Sequence, residues 1–166
     1  SANLSFTSGI DDTYDSYVFK FYNIHPATDN VQFLFNMSSD SGSNYNVTKT
    51  TTYFLAEHNA TGGSANLSYQ SAKDLAQSTD FQKLMTDLGN AADENLSGYL
   101  TIYNPSSTTF VKNFMSRTNA QAYSATNISF DNYIAGYGNT TSAVDAIQFK
   151  MSSGTFDGVI KLYGVS

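Results

Sequence analysis

The residues able to do chemistry are few and scattered. The two histidines, His25 and His58, each sit beside a segment of turn composition. Neither falls in the H-x-x-x-H or H-E-x-x-H spacing that sets two imidazoles on one helix face around zinc, so both read as polar loop residues. Serines abound, but a nucleophilic serine needs an ordered base and an oxyanion hole, and G-x-S-x-G does not occur. Glycine loops that cradle phosphate, G-x-x-x-x-G-K-[ST] or G-x-G-x-x-G, are absent as well. Two acids at the right separation could hydrolyse a glycosidic bond. Most of the acids between Asp11 and Asp157 lie in loop-like sequence, where a solvated turn residue is the ordinary role. We therefore expect no enzyme. Calcium is the one cofactor kept open: Asp11, Asp12 and Asp15 cluster oxygens in a loop, as do Asp40 and Asn44, although neither group has the twelve-residue calcium loop.

Binding is the better-supported chemistry. Sugars are held by aromatic faces with nearby hydrogen-bonding groups. Candidates for such a surface are Tyr45, Tyr69, Tyr123, Tyr133 and Tyr137, with Asp40 and Asn44 beside them. Tryptophan, the strongest stacking platform, is absent, and Tyr133 and Tyr137 also read simply as strand residues, since sheets favour tyrosine.

The elements that must position these residues are strands. Tyr17 to Ile24 alternates Phe19 and Phe21 against Lys20 and Tyr22, and Val31 to Met37 alternates again after a turn at 25–30. The two read as an antiparallel pair. Further strands are expected at 46–55, 66–69, 96–103, 108–117, 127–137, 146–151 and 159–163, with Ile160 and Leu162 pairing against Ile147 and Phe149 to close the core. In 108–117, Phe110, Lys112 and Phe114 share one face, with Val111, Asn113 and Met115 on the other. Leu75, Leu84, Met85 and Leu88 lie near helical spacing, with Thr79 as a cap and Gly89-Asn90 as a stop, so one short helix is expected around residues 72–88. Eight to ten short strands argue for an all-β, antiparallel two-sheet sandwich, jelly-roll-like, in a single domain over 1–166.

Composition narrows the partners. With 8 Lys+Arg against 14 Asp+Glu the net charge is −6, which repels phosphate backbones and anionic lipid surfaces, so neither nucleic acid nor membrane insertion is expected. Charged residues are only 13% of the chain, about half the usual share, and Ser, Thr and Asn take their place at the surface. No cysteine is present, so the core must hold without disulfides. Eight N-x-[ST] triplets, at Asn3, Asn36, Asn46, Asn59, Asn66, Asn95, Asn127 and Asn139, would mean heavy glycosylation in a secreted eukaryotic chain; they are read first as a product of the Asn, Ser and Thr content. The chain starts Ser1-Ala2-Asn3-Leu4 without a signal-peptide pattern, and we expect it to be the C-terminal part of a longer protein.

Three stretches, in order, carry a resemblance. They are Val18-Phe19-Lys20-Phe21 through Asn30 with Ser38 to Tyr45, then Leu96-Ser97-Gly98-Tyr99 through Thr108, then Ala146-Ile147-Gln148-Phe149-Lys150-Met151 through Gly154 with Ile160 to Gly164. This order resembles marine bacteriophage virion structural proteins of tail-fibre-like or capsid-decoration-like type, over about residues 5 to 165. The resemblance implies a virion-surface location, contacts with other virion subunits or host-surface glycans, and a homo-oligomer, expected to be a trimer by analogy with fibre tips and capsid three-fold sites. It carries over no catalytic residue. The alternatives are a carbohydrate-binding module of a secreted protein and, further off, a polysaccharide hydrolase.

Overall fold

Alternation of buried and exposed side chains dictates the architecture. Strands whose every second residue is apolar bury one face and leave the other to solvent. The protein, seen in a computed structural model that describes residues 1–124 and 127–166, has eleven strands and no helix among the described residues. They are β1 (Asn3–Phe6), β2 (Ser16–Pro26), β3 (Val31–Ser38), β4 (Lys49–Asn59), β5 (Ala65–Tyr69), β6 (Gln82–Leu88), β7 (Leu96–Tyr103), β8 (Lys112–Ala122), β9 (Ile128–Gly138), β10 (Ala146–Met151) and β11 (Phe156–Val165). All pairings are antiparallel. One sheet has the order β1-β10-β3-β6 and the other β11-β2-β7-β8-β9-β4-β5. Neither closes into a barrel.

The inner faces of the two sheets meet through phenylalanine rings. Phe149 on β10 lies 5.3 Å from Phe19 and 5.2 Å from Phe21 on β2, and it stacks at 5.9 Å on Phe33 of its own sheet. Phe35 meets Phe114 edge-on at 5.0 Å. Such pairs add about 0.5–1.5 kcal/mol each beyond the area they bury.

Three expectations are corrected. First, residues 72–88 hold no helix. The segment 71–80 runs as turns and bends that bond back onto β4: Thr51 N donates to Leu75 O at 2.9 Å, and Lys49 and Ser78 exchange backbone bonds at 2.8 and 3.0 Å. β6 follows. Its ladder with β3 is irregular between Val31 and Leu34, and Asp87 has φ of 56°. These irregularities bury Leu84 and Met85 in succession and bring Leu88 inward again, so a bulged strand imitates the helical spacing. Second, β2 and β3 are not partners. The segment between them crosses from one sheet to the other, and their apolar faces oppose each other, with Phe21 and Phe33 5.3 Å apart. Third, β11 pairs with β2, Ile160 facing Phe21 and Leu162 facing Phe19, and not with β10.

Glycine is required where β4, β8 and β9 converge. Lys49 and Lys112 both pair with Gly138, and all three face inward. A Cβ on Gly138 would lie 2.8 Å from the Met37 Cε and 3.0 Å from a Val47 methyl. The missing side chain leaves that space to Met37 and Val47, beside the wholly buried Lys112 stem.

Candidate functional site: the outer face of the larger sheet

The register of the seven-stranded sheet lines up one residue from each strand in a row across its outer face. Tyr69 of β5 pairs with Phe54 of β4, Phe54 with Tyr133 of β9, and Tyr133 with Arg117 of β8. Arg117 then pairs with Tyr99 of β7, Tyr99 with Lys20 of β2, and Lys20 with Lys161 of β11. Every one is an outward position of its strand, so the alternation that fills the core also builds this row.

Geometry at its centre is tight. Phe54 and Tyr133 stack at 4.8 Å with 4° between their planes, and the Arg117 guanidinium sits 4.8 Å from the Tyr133 ring centre. The two neighbours come from strands on opposite sides of β9, so the tyrosine is sandwiched. Arg117 also donates from Nε and Nη2 to the two oxygens of Asp131, at 3.0 and 2.6 Å. The Tyr133 hydroxyl donates to Asp131 at 3.1 Å. Arg117, through its hydrogen bonds, holds the Asp131 carboxyl below the usual range, while Asp131 in turn raises the guanidinium. Partial desolvation first, then the neighbouring carboxylate, raises the Tyr133 phenol. Cations continue to the β2–β11 edge, where Lys20 stands 5.4 Å from the Tyr163 ring and Lys161 5.7 Å from Tyr22.

This face is also where the molecule leaves its large apolar groups in water. Of fourteen exposed large hydrophobic or aromatic side chains among the described residues, ten are on it: Tyr22, Phe54, Leu67, Tyr69, Tyr99, Tyr103, Met115, Val159, Tyr163 and Val165. Solvent-exposed apolar groups gathered on one face mark an interaction surface. Depressions punctuate it, among them one of about 480 Å³ toward its end, between His58, Asn119, Gln121 and Ser129. Another of about 420 Å³ is bounded by Tyr103, Met115, Tyr137, Thr50, Thr52 and Asn113, with Ala135 and Gly136 also in its lining. A third lies between Tyr99, Arg117 and Tyr133, and a fourth is walled by Ser97, Asn119 and Asp131.

The sequence candidates separate cleanly against this geometry. Tyr133 and Tyr137 belong to the face, and Tyr69 ends the row on edge strand β5, its hydroxyl donating to Asp74. Tyr133 is not a free stacking platform, because both its faces are covered. Asp40, Asn44 and Tyr45 lie away from the row. Asp40 accepts from the Ser38 hydroxyl at 2.6 Å and from Asn44 N and Nδ2 at 2.8 and 2.7 Å, bonds that hold its carboxyl low and close the 38–45 loop. Among the described residues the buried Tyr45 hydroxyl has no hydrogen-bond partner, and Gly42 leaves it space. Tyr123 is exposed beyond β8, its amide bonded to Asp87 O. Asp11 is spent on the Tyr17 hydroxyl at 2.7 Å and the Thr13 amide at 2.9 Å, which lower it. Asp11, Asp12 and Asp15 form no metal-holding group, and no cluster of three or more His, Asp or Glu does so among the described residues. His25 bonds Ala91 O at 3.0 Å, and His58 is exposed at the end of β4.

Sequence reasoning missed Phe54, Tyr99, Tyr103, Met115 and Arg117. A readable signal existed. Each is an aromatic or long side chain at the solvent-facing parity of a strand whose other parity was plainly core. Comparison of the chain with models of known families, with curated proteins and with solved structures gives no match.

Proposed function

We propose that the chain is a surface structural protein of a virion, a jelly-roll sandwich that meets its neighbours through the outer face of its larger sheet. The observation that carries this reading is the row from Tyr69 to Lys161, on a face that holds ten of the fourteen exposed large hydrophobic groups among the described residues. Strand order supports the fold. An eight-stranded jelly roll places its first, eighth, third and sixth strands in one sheet and its second, seventh, fourth and fifth in the other. The order β1-β10-β3-β6 matches the first sheet, with β10 as the eighth strand. The order β2-β7-β8-β9-β4-β5 matches the second, with the meander β7–β9 standing where one strand would be. β11 is then an added outer strand. Viral capsid and lectin domains both use this architecture, and the sequence resemblance favours the virion. The partners are other virion subunits, and the assembly is a homo-oligomer, a trimer by analogy.

The test is a reconstruction of purified particles of the source virus. Density for this domain at fixed copy number is expected, with the β4–β9–β8–β7 face against a neighbour. A particle population without the chain would sink the proposal. Tyr99→Ser with Phe54→Ser alters only half-exposed side chains and should leave the fold intact while lowering incorporation.

A second reading, glycan binding, is favoured by the depression between Tyr103 and Tyr137, where aromatic rings stand beside the Thr50, Thr52 and Asn113 side chains. Saturable binding to one glycan, lost in Tyr137→Ala, would favour it.

A further inference from the structure

Asn36 and Lys49 are wholly buried polar side chains. One lies on β3 of the four-stranded sheet and the other at the start of β4 in the seven-stranded sheet. Lys49 Nζ stands 2.5 Å from Asn36 Oδ1 and 2.7 Å from Val47 O. The carboxamide carbon is one C=O bond of about 1.23 Å from that oxygen, so Nζ is at most about 3.7 Å from it. The amide is held on its other side too: Asn36 Nδ2 donates to Tyr45 O at 2.6 Å and to Thr79 O at 2.9 Å. This orients the carbonyl end toward the amine. Among the described residues, no ion pair joins Lys49 to a carboxylate. Burial therefore works against the ammonium, and the pKa falls to about 7 despite the field of Asp80. A large share of the side chain is the neutral, nucleophilic amine at neutral pH.

We infer that Lys49 and Asn36 join in an intramolecular amide bond. Nζ bonds to Cγ, the Cγ–Nδ2 bond breaks, and Nδ2 leaves as ammonia with the hydrogen that Nζ gives up. The exchange is redox-neutral and balances without an outside reagent. Asp80 follows Thr79, whose carbonyl holds Nδ2, and its charge acts on Lys49. The product is a covalent staple between the two sheets of a chain that has no cysteine, shielded from water by the core.

Intact-mass measurement of the natively folded chain tests the inference. The expected mass is below the sequence mass by one ammonia in essentially all of the folded protein. Proteolysis that cuts the backbone after Tyr45 should leave the segments bearing Asn36 and Lys49 joined. Lys49→Met should show the full mass expected from its sequence, and the peptide map of the unaltered chain decides the matter even if that variant fails to fold. Full sequence mass after prolonged incubation at mildly alkaline pH would overturn the proposal. So would loss of ammonia with segments that separate after the cut, because that pattern belongs to cyclisation at Asn36 alone.

Discussion

Arg117 shows how one side chain organises the outer face. Its guanidinium plane covers Tyr133 while its edge grips both oxygens of Asp131. Lysine could supply the charge but neither the planar cover nor the paired bonds. Beneath it, the inner face holds a different kind of cation. Lys112 is wholly buried and donates, among the described residues, to two carbonyls, Phe110 O at 2.6 Å and Thr140 O at 3.3 Å. Burial lowers its pKa. Between that lowered value and the unfolded value of about 10.4, the unfolded chain carries a proton that the folded chain lacks. Raising the pH through this window therefore favours the fold. The urea midpoint should climb from neutral pH to about 9.5, short of tyrosine ionisation, and the climb should be shallower in Lys112→Met. Parallel curves for the two proteins would refute the assignment.

At the scale of elements, β7 and β8 approach closely because Gly98 carries no side chain. A Cβ there would lie 2.3 Å from Arg117 O and 2.8 Å from the Thr118 Cα. Backbone cannot yield as a flexible side chain does, so Gly98→Ala should cost about 1–3 kcal/mol and separate Tyr99 from Arg117. Denaturant unfolding measures the first effect, and loss of the Arg117–Asp131 pairing in a structure of the variant measures the second. Strand positions were largely legible. Leu96–Tyr103 and Ala146–Met151 have the bounds their alternation predicts. In β8 the predicted parity holds, with Lys112 and Phe114 buried and Asn113 and Met115 exposed, whereas Phe110 precedes the strand and stays 67% exposed. β6 was not legible, because its bulge destroys the period that identifies a strand. β1 is four residues long and half exposed, too short for a period to register.

For the whole molecule, the edges matter. β5 ends the larger sheet with its residues mostly exposed, and Leu67 is 69% exposed on it. An open strand edge carrying an apolar side chain is a ready template for pairing with another chain, and lysine is the usual device that blocks it. Leu67→Lys should weaken self-association several-fold without changing thermal stability, as read by light scattering and a melting curve. Unchanged association would move the subunit contact away from this edge. Tyr133, Tyr137 and Tyr69 were found from sequence as candidates, yet Asp40, Asn44 and Tyr45 were grouped with them although the fold sets them apart. Turn chemistry reads the same whether a carboxylate closes its own loop or faces a ligand.

Alternation, turn residues and composition by themselves determined that this protein is built of β-strands, which residues face inward along 17–24, 31–37 and 108–117, and that its surface is neutral polar with an acidic balance. These are local properties, set by the two-residue period of a strand and by the side chains' preference for water or core. Neighbours were decided only in the tertiary structure. That β3 opposes β2 instead of pairing with it, that β11 joins β2, that Asn36 meets Lys49, and that seven outward residues form one row all depend on contacts between distant segments. Parity tells a strand which way to face, and only the packing of the two sheets tells it beside whom.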